Sequence, residues 1–377
     1  MECSTRPSNV RVCQFRHFRI ADVFRQRRYY STAIRLCQEV FEKNCSDFTF
    51  RRKHGIIGVT FYDGRQVLRG SAVPGAHMNT DKLLRGNFAV FNHYLFGDEN
   101  WVGTTNALDV ERLAERIAAT GASRYFITMM QGSRYMLAPN ATYDEIAGTR
   151  PGEACAVRDV PMELGRALEQ YGIDLYLYYT GDGPYKDPVL GERFGLNQVR
   201  DNMDEAFVAR WASVLREYSL RYGDLVKGWW IDGCYNWLGY NDELLKYYHA
   251  AAKAGNPDSL VATNGGVPKV IPLKRCSLDE YTCGEFNDFT VVPESRYTED
   301  GAQMHILAPL GSFGDDRPEG AWHMRGLKRD AGYLADYIRR LKAVGCSLTI
   351  DIYIDRDGSF DDEQAATLSK VSELLGQ

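Results

Sequence analysis

Short apolar segments alternate with amphipathic helices over residues 85–377, and this alternation constrains the fold more than any other feature of the sequence. Eight segments have the length and composition of short buried strands, and most are followed by a segment with helical periodicity. This pattern favours a parallel sheet with helices outside it, and eight units favour an α/β fold of the TIM type, a (β/α)8-like barrel with an N-terminal extension. The predicted strands are Phe88–Asn92, Arg124–Met130, Ile173–Tyr179, Gly228–Asp232, Ser259–Asn264, Glu280–Cys283, Met304–Ala308 and Ser347–Ile352.

The first 84 residues lack this regular pattern and differ in charge. Residues 1–60 carry 12 Lys and Arg against 5 Asp and Glu, whereas the whole chain has a net charge of −5. Such a start is compatible with a mitochondrial-type address or with an upstream extension foreign to the native protein, and we favour the second. We therefore expect a basic extension of unknown role at residues 1–84, containing a helix at Ala33–Lys43 and a strand at Gly55–Tyr62, and a barrel domain at residues 85–377.

Charge and cysteine content narrow the possible partners and compartment. The mild net charge gives no reason to expect nucleic acid, and the sequence shows no apolar run typical of a secretory signal or a membrane span. The nine cysteines include no CxxC pair, so zinc binding is not expected and a reducing compartment is the simpler interpretation. We expect a cytoplasmic protein without nucleic-acid or membrane partners, whose oligomeric state stays open.

The segment Val226–Trp237 (VKGWWIDGCYNW) contains the most informative acidic residue. It predicts a short buried strand that ends at Asp232, where Gly233 allows the chain to turn away at once. Tryptophans lie on both sides of the acid, and aromatic faces beside a carboxylate suit the binding of a sugar ring. An Asp before Gly also commonly caps a turn, so this segment by itself leaves both interpretations open.

The barrel prediction places functional residues at the C-terminal ends of the strands. A lone histidine there, such as His93, is more often structural than functional. The candidates at these positions are Asn92, His93, Tyr94, Met130, Gln131, Tyr179, Asp232, Asn264, Glu285, His305 and Asp351.

Several segments, taken in order over residues 85–377, resemble the catalytic domain of glycoside hydrolase family 29, the α-L-fucosidases. Asn87–Leu95 (NFAVFNHYL) is similar to the first strand of that family, which ends in a substrate-binding His followed by an aromatic residue. Trp230–Gly233 (WIDG) resembles the nucleophile motif. The other matching segments are Ala122–Tyr143, Arg158–Tyr179, Leu310–Gly314 and Gly345–Gly358.

The resemblance implies a retaining double displacement, in which an Asp attacks the anomeric carbon and a Glu acts first as acid and then as base. The nucleophile maps onto Asp232. The acid/base maps onto Glu294, at the end of Asp288–Glu294 (DFTVVPE), with Glu285 as the second choice. No metal or organic cofactor is implied, because two carboxylates suffice for this chemistry. The expected sugar-binding residues are His93, Tyr94, Arg134, Tyr179, Trp230, Trp237 and His305.

The sequence departs from the family at two places. Met129 and Met130 stand where the family has a His pair that hydrogen-bonds the fucose hydroxyls, and a thioether cannot donate such bonds. Weak turnover of a simple aryl α-L-fucoside is therefore expected, unless Gln131, Arg134 or Tyr135 compensates. Near its seventh strand the family has an aromatic residue followed by Glu, whereas this sequence has Gln303–His305 (QMH) there. His305 is therefore either a polar site residue or a strand-end histidine facing solvent.

The function predicted from the sequence is a retaining, α-L-fucosidase-like glycoside hydrolase that removes a terminal glycosyl group from an oligosaccharide or glycoconjugate. A catalytically inactive carbohydrate-binding barrel is the alternative, since the His pair is missing, although such a protein would not need Asp232. A barrel enzyme of unrelated chemistry is a third possibility, because fold does not determine function.

Overall fold

The structure, a computed structural model, describes residues 80–376 apart from 198, 269–272 and 313–321. It also describes the backbone of five strands before residue 80. The chain divides into two compact units, Met1–Ala76 and His77–Gln377. In the first, Glu2–Thr5 pairs antiparallel with Arg11–Gln14, and Asp47–Lys53, Ile56–Asp63 and Gln66–Ser71 form an antiparallel sheet in that order. The strand predicted at residues 55–62 is thus confirmed, and the helix predicted at 33–43 lies outside the described residues. The domain boundary after residue 84 stays a prediction.

The second unit is built on a curled sheet of seven parallel strands, β1 to β7, in the order β5-β4-β3-β2-β1-β7-β6. The predicted parallel sheet with helices between its strands is confirmed. The strands are β1 (Ala89–Asn92), β2 (Arg124–Thr128), β3 (Asp174–Thr180), β4 (Val226–Asp232), β5 (Leu260–Thr263), β6 (His305–Pro309) and β7 (Ser347–Asp351).

The prediction of an eighth strand at Glu280–Cys283 is wrong. Residues 280–286 instead form an irregular segment that hydrogen-bonds to both edge strands, with Glu280 N donating to Val261 O at 3.1 Å and Leu307 N donating to Gly284 O at 2.8 Å. Gly284 has a φ of +58°, and a Cβ there would lie 1.8 Å from the carbonyl oxygen of His305. Only glycine fits this position, and its left-handed conformation interrupts the extended backbone.

The helices lie between the strands in sequence. Each of them except α1 begins with an Asp or Asn whose side chain accepts a hydrogen bond from a backbone N–H of the first turn, which satisfies one otherwise unpaired donor. Among the described residues, no helix has the length and apolarity needed to span a membrane. The helices are α1 (Trp101–Ala107), α2 (Val110–Ala119), α3 (Ala141–Ala147), α4 (Val160–Glu169), α5 (Pro188–Phe194), α6 (Glu205–Tyr222), α7 (Asp242–Ala252), α8 (Ala331–Ala343) and α9 (Asp362–Leu374).

The two faces of the sheet carry separate apolar clusters. The larger outer cluster joins alternate strand residues to the helices. The inner cluster, on the concave face, contains Phe91, Phe126, Tyr178 and Trp230 but no residue of α1 to α9. Leu83, from the short 3-10 helix Thr80–Leu84, is also buried in the inner cluster. Because side chains alternate across a strand, the face to which a residue belongs decides whether it can reach a site above the concave face.

Candidate active site

Asp232 is the last residue of β4 and belongs to the concave face. It follows Trp230 by two positions, and its register partner across β3 is Thr180, two residues after Tyr178. Tyr178 and Trp230 stack with their ring centroids 5.3 Å apart. The carboxylate of Asp232 therefore lies above an aromatic floor, at the carboxyl end of the sheet, where barrels of this type place their active sites.

Three side chains hold the Asp232 carboxylate. Oδ2 accepts a hydrogen bond from the Tyr178 hydroxyl at 2.6 Å, and Oδ1 accepts from the Tyr235 hydroxyl at 3.1 Å and from Asn264 Nδ2 at 2.8 Å. Burial and the nearby charge of Asp232 raise the pKa of Tyr178 well above its ordinary value, so this tyrosine stays a donor. Asp232 itself is 8% exposed. The carboxylate is thus oriented through both of its oxygens.

Glu285 is the second carboxylate of the site. Asn264 Nδ2 donates to Glu285 Oε2 at 2.6 Å while it also donates to Asp232. Gly266 N donates to Asn264 Oδ1 at 3.1 Å, which leaves the NH2 group of the amide for the two acids. Because Asn264 Nδ2 contacts both, Asp232 Oδ1 and Glu285 Oε2 cannot be farther apart than the sum of their distances to that nitrogen. This limit is compatible with the separation of roughly 5–5.5 Å at which retaining glycosidases hold their two carboxyl groups.

The environment of Glu285 favours its protonated form. Burial, and then the negative charge of Asp232, raise the pKa of Glu285 to about 7, although the hydrogen bond from Asn264 acts in the opposite direction. Two neighbouring carboxylates with different environments are the usual way in which one acid stays protonated beside an ionised partner. The pair can therefore supply a nucleophile and a proton donor at the same pH.

Glu294, the acid/base expected from the sequence, is exposed and is not brought to Asp232. Its segment runs along α8, where the Tyr337 hydroxyl donates to Val291 O at 2.5 Å. Two residues after Glu294, Arg296 Nε donates to Gln303 Oε1 at 2.8 Å, just before β6 begins. The segment thus leads to the amino end of the sheet, opposite the end that carries Asp232.

His93 and two tryptophans are brought to the site. His93 follows β1, and its Nδ1 lies 2.8 Å from Asp351 Oδ1, at the end of β7. The imidazole also packs edge-on against Tyr178, with the ring centroids 6.1 Å apart. Trp230 stacks beside Tyr178 on the neighbouring strand, and the ring of Trp237 stacks on Tyr235 with the centroids 5.7 Å apart.

The remaining expected sugar-binding residues lie elsewhere. Tyr94 and Tyr179 belong to the outer cluster, where their hydroxyls donate to Arg356 O at 2.7 Å and to Trp211 O at 2.9 Å. Arg134 pairs with Asp187, the N-cap of α5, at 2.5 Å.

His305 is enclosed within the sheet. Its Nδ1 lies 3.0 Å from Thr282 O and its Nε2 lies 2.8 Å from Thr349 Oγ1, and burial lowers the pKa of His305 to about 4. This histidine is neutral at physiological pH, and both of its nitrogens have partners within the protein. The structure therefore places His305 inside the sheet, whereas the sequence analysis expected it to face the sugar or solvent.

The two methionines at the end of β2 lie in the outer cluster and are almost fully buried. The next residue, Gln131, reaches the site, and its Nε2 donates to the Tyr178 hydroxyl at 3.1 Å. Tyr178 and Tyr235 were not among the expected site residues. The two-residue spacing from Tyr178 to Thr180, and from Trp230 to Asp232, is the signal that could have identified Tyr178 once the register was known.

Among the residues that the structure describes, no three His, Cys, Asp or Glu side chains are grouped as metal ligands would be. The described cysteines at 155, 234, 276, 283 and 346 are free and buried. All five pack within the two apolar clusters as small core residues.

No protein-family model and no curated protein sequence matches this chain. Solved structures do match. An endo-fucoidan hydrolase of glycoside hydrolase family 107, P5AFcnA, aligns with a TM-score of 0.60 and 15% identity over 79% of this chain and 93% of that chain. An α-L-fucosidase of glycoside hydrolase family 29 from Bacteroides thetaiotaomicron aligns with a TM-score of 0.53 and 14% identity over 77% of this chain and 71% of that chain. The chain has their TIM-like α/β fold.

A further endo-fucoidan hydrolase of family 107, MfFcnA4, aligns with a TM-score of 0.61 and 14% identity. The alignment covers 78% of this chain but only 54% of that one, so this chain spans little more than half the length of that enzyme. Identities this low show a shared fold, and they do not assign the chain to either family.

Proposed function

We propose that this chain is a retaining glycoside hydrolase that cleaves a fucosyl bond by double displacement, with Asp232 as nucleophile and Glu285 as acid/base. The observation that carries the proposal is the pair of carboxylates, Asp232 buried and Glu285 half-buried, joined through one amide nitrogen of Asn264. Solved structures with the same fold are described as endo-fucoidan hydrolases and α-L-fucosidases, which supports a fucose-containing substrate. The family 29 resemblance of the sequence points to the same reaction.

In the first step, the Asp232 carboxylate attacks the anomeric carbon while protonated Glu285 gives its proton to the departing glycosidic oxygen. The bond to the leaving group breaks and a covalent glycosyl–Asp232 ester forms. In the second step, ionised Glu285 takes a proton from water, and the water oxygen attacks the anomeric carbon and releases Asp232. The two inversions give net retention, and Glu285 ends protonated, ready for another cycle.

Glu285 replaces Glu294 in this proposal because proton transfer requires a group within hydrogen-bonding reach of the reacting oxygen. Glu285 shares a hydrogen-bond donor with Asp232, whereas the exposed Glu294 belongs to a segment that leads away from the site. The raised pKa of Glu285, which burial causes, also suits an acid that must hold its proton near neutral pH.

His93 is the proposed anchor for a hydroxyl group of the fucosyl ring. Its Nδ1 is engaged by Asp351, and this contact orients the imidazole so that Nε2 can face the sugar. Gln131 and the aromatic floor of Tyr178 complete this side of the pocket. Tyr94, Arg134, Tyr179 and His305 have no part in the proposal, and their assignment as sugar-binding residues stays a prediction.

The proposal is tested with a 2-deoxy-2-fluoro fucosyl fluoride, which forms the glycosyl ester but releases it slowly. Incubation with the full chain should add one glycosyl mass to the protein, and peptide mapping should place it on Asp232. Proton NMR of a turned-over fucoside should show that the first-formed product keeps its anomeric configuration. An inverted product, or a label on a different residue, would contradict the proposal. Binding of sugar without turnover or label would favour the inactive barrel.

A further inference from the structure

An exposed aromatic ring lies beside the nucleophile. Trp237 is 62% exposed, although tryptophan is usually well buried. It belongs to the short 3-10 helix Asn236–Leu238, five residues after Asp232, and it stacks on Tyr235 at an interplanar angle of 21°. The hydroxyl of that same Tyr235 donates to Asp232. A stacked pair of rings therefore extends from the carboxylate to the surface.

Arg200, from the loop between α5 and α6, extends this surface. Its guanidinium lies 3.7 Å from the ring centroid of Tyr185 and 5.7 Å from that of Trp237. Arg200 has a φ of +55°, a left-handed conformation that is uncommon for residues other than glycine and that is often found at functional sites. We call Tyr185, Arg200, Tyr235 and Trp237 the stacking platform.

A buried ion pair fixes the stacking platform in place. Arg200 pairs with Asp182, which is almost fully buried and accepts a hydrogen bond from Thr180 Oγ1 at 2.5 Å. Gly233 lies against this acid, since a Cβ there would be 2.6 Å from Asp182 Oδ1. The chain after β3 and the chain after β4 are thus held together at Asp182, so the platform forms before a ligand arrives, and binding costs little ordering.

The platform adjoins the oxygen of Asp232 that is also held by Asn264, the residue that contacts Glu285. Tyr178, which contacts His93, donates to Oδ2 of Asp232, whereas Tyr235 donates to Oδ1. The Asn264 amide that holds the proton donor Glu285 also contacts Oδ1. In the proposed reaction the proton must reach the departing glycosidic oxygen, and this assigns the leaving group to the side of Tyr235 and Asn264.

We propose that the stacking platform is a binding subsite for the sugar residue on the leaving-group side, so that the substrate is a carbohydrate chain rather than a glycoside of a small aglycone. An exposed aromatic face binds the C–H surface of a sugar ring, and the part of the Arg200 guanidinium that is not paired with Asp182 can donate to its hydroxyl groups. This inference rests on the proposed hydrolase function.

Two substrates that differ only beyond the scissile bond test the subsite. An α-linked fucose tetrasaccharide places a sugar on the platform, whereas α-L-fucosyl fluoride has no ring there. Trp237→Ala in the full chain should lower kcat/KM for the tetrasaccharide at least tenfold more than for the fluoride, mainly through KM, and Trp237→Phe should recover part of the loss. Tyr171→Ala, which removes a 46% exposed ring before the amino end of β3, serves as the control and should change neither value.

Binding to the Glu285→Gln chain separates this inference from the hydrolase proposal. Calorimetric titration with the tetrasaccharide should show binding that is at least tenfold weaker when Trp237→Ala is added, with circular dichroism unchanged. That result supports the subsite even if the wild-type chain hydrolyses neither substrate. Equal losses for the tetrasaccharide and the fluoride, or tetrasaccharide binding that Trp237→Ala leaves unchanged or that is absent altogether, would overturn it.

Discussion

Replacing Glu285 by Gln is the sharpest test of the proposed chemistry, because the amide keeps the shape of the side chain but cannot act as an acid. Its oxygen can still accept the hydrogen bond from Asn264, so Asp232 keeps its surroundings. The change therefore removes proton transfer and little else.

The expected size of the effect follows from the raised pKa. With a pKa of about 7, roughly nine-tenths of Glu285 is protonated at pH 6, against roughly 3% at its ordinary pKa. The fraction of the side chain that can act as an acid is therefore about 30-fold higher. For a substrate with a poor leaving group, Glu285→Gln should lower kcat/KM by roughly 10²–10⁴-fold. A dinitrophenyl glycoside needs little protonation and should lose much less.

The pH profile provides the second measurement. Glu285 must hold its proton to act as acid, so wild-type kcat/KM should fall as pH rises through about 7. This decrease should be absent in Glu285→Gln. The matched control is Glu294→Gln, which removes the exposed carboxylate and should leave both the rate and the profile unchanged. A crippled Glu294→Gln beside a normal Glu285→Gln, or an unchanged profile in Glu285→Gln, would refute the reasoning.

Three further results are expected. With azide and a good leaving group, Asp232→Gly should give a glycosyl azide of opposite configuration, whereas Glu285→Ala should give the retained azide; identical products from the two variants would contradict the assigned roles. Because its pKa is raised in the folded state, Glu285 contributes stability that is complete below its ordinary pKa and is lost as pH rises through about 7. Glu285→Gln should therefore raise Tm more at pH 8 than at pH 5. An equal change in Tm at both pH values would speak against a raised pKa. Leu83→Ala should lower the unfolding free energy measured in urea by roughly 2–5 kcal/mol, since the side chain is enclosed in the inner cluster. The control Leu220→Ala, at a 49% exposed position of α6, should lower it by less than about 0.5 kcal/mol. Similar losses for the two variants would mean that Leu83 is not part of the core.

Local sequence patterns predicted most of the elements that position the site. Periodicity placed the seven observed strands and the longer helices, and an Asp or Asn marks the start of nearly every helix. The run that ends in Asp232 and Gly233 predicted a carboxylate at a strand end, and it is found there. These features depend on neighbours within a few residues, which the sequence displays directly.

The choice between neighbouring tyrosines could not be made from the sequence. Tyr178 and Tyr179 end a strand, Asp174–Thr180, in which both faces are buried, so polar and apolar residues do not alternate. Only the register with β4 shows that Tyr178 shares the concave face with Asp232, while Tyr179 packs toward α6. A shift of one residue reverses the faces, and no local signal marks it.

Which glutamate lies beside Asp232 was also decided by the tertiary structure. Glu285 reaches Asp232 because Gly284 turns the backbone against β6 and because Asn264, 21 residues earlier, offers one amide to both carboxylates. Glu294 lies later in the same connection between β5 and β6, and its segment follows α8 toward the amino end of the sheet. The sequence by itself determined the seven strands of the sheet, the helices and the position of a carboxylate, Asp232, at a strand end. Which second carboxylate meets Asp232 depends on contacts between residues distant in the chain, and such contacts exist only once the sheet has curled.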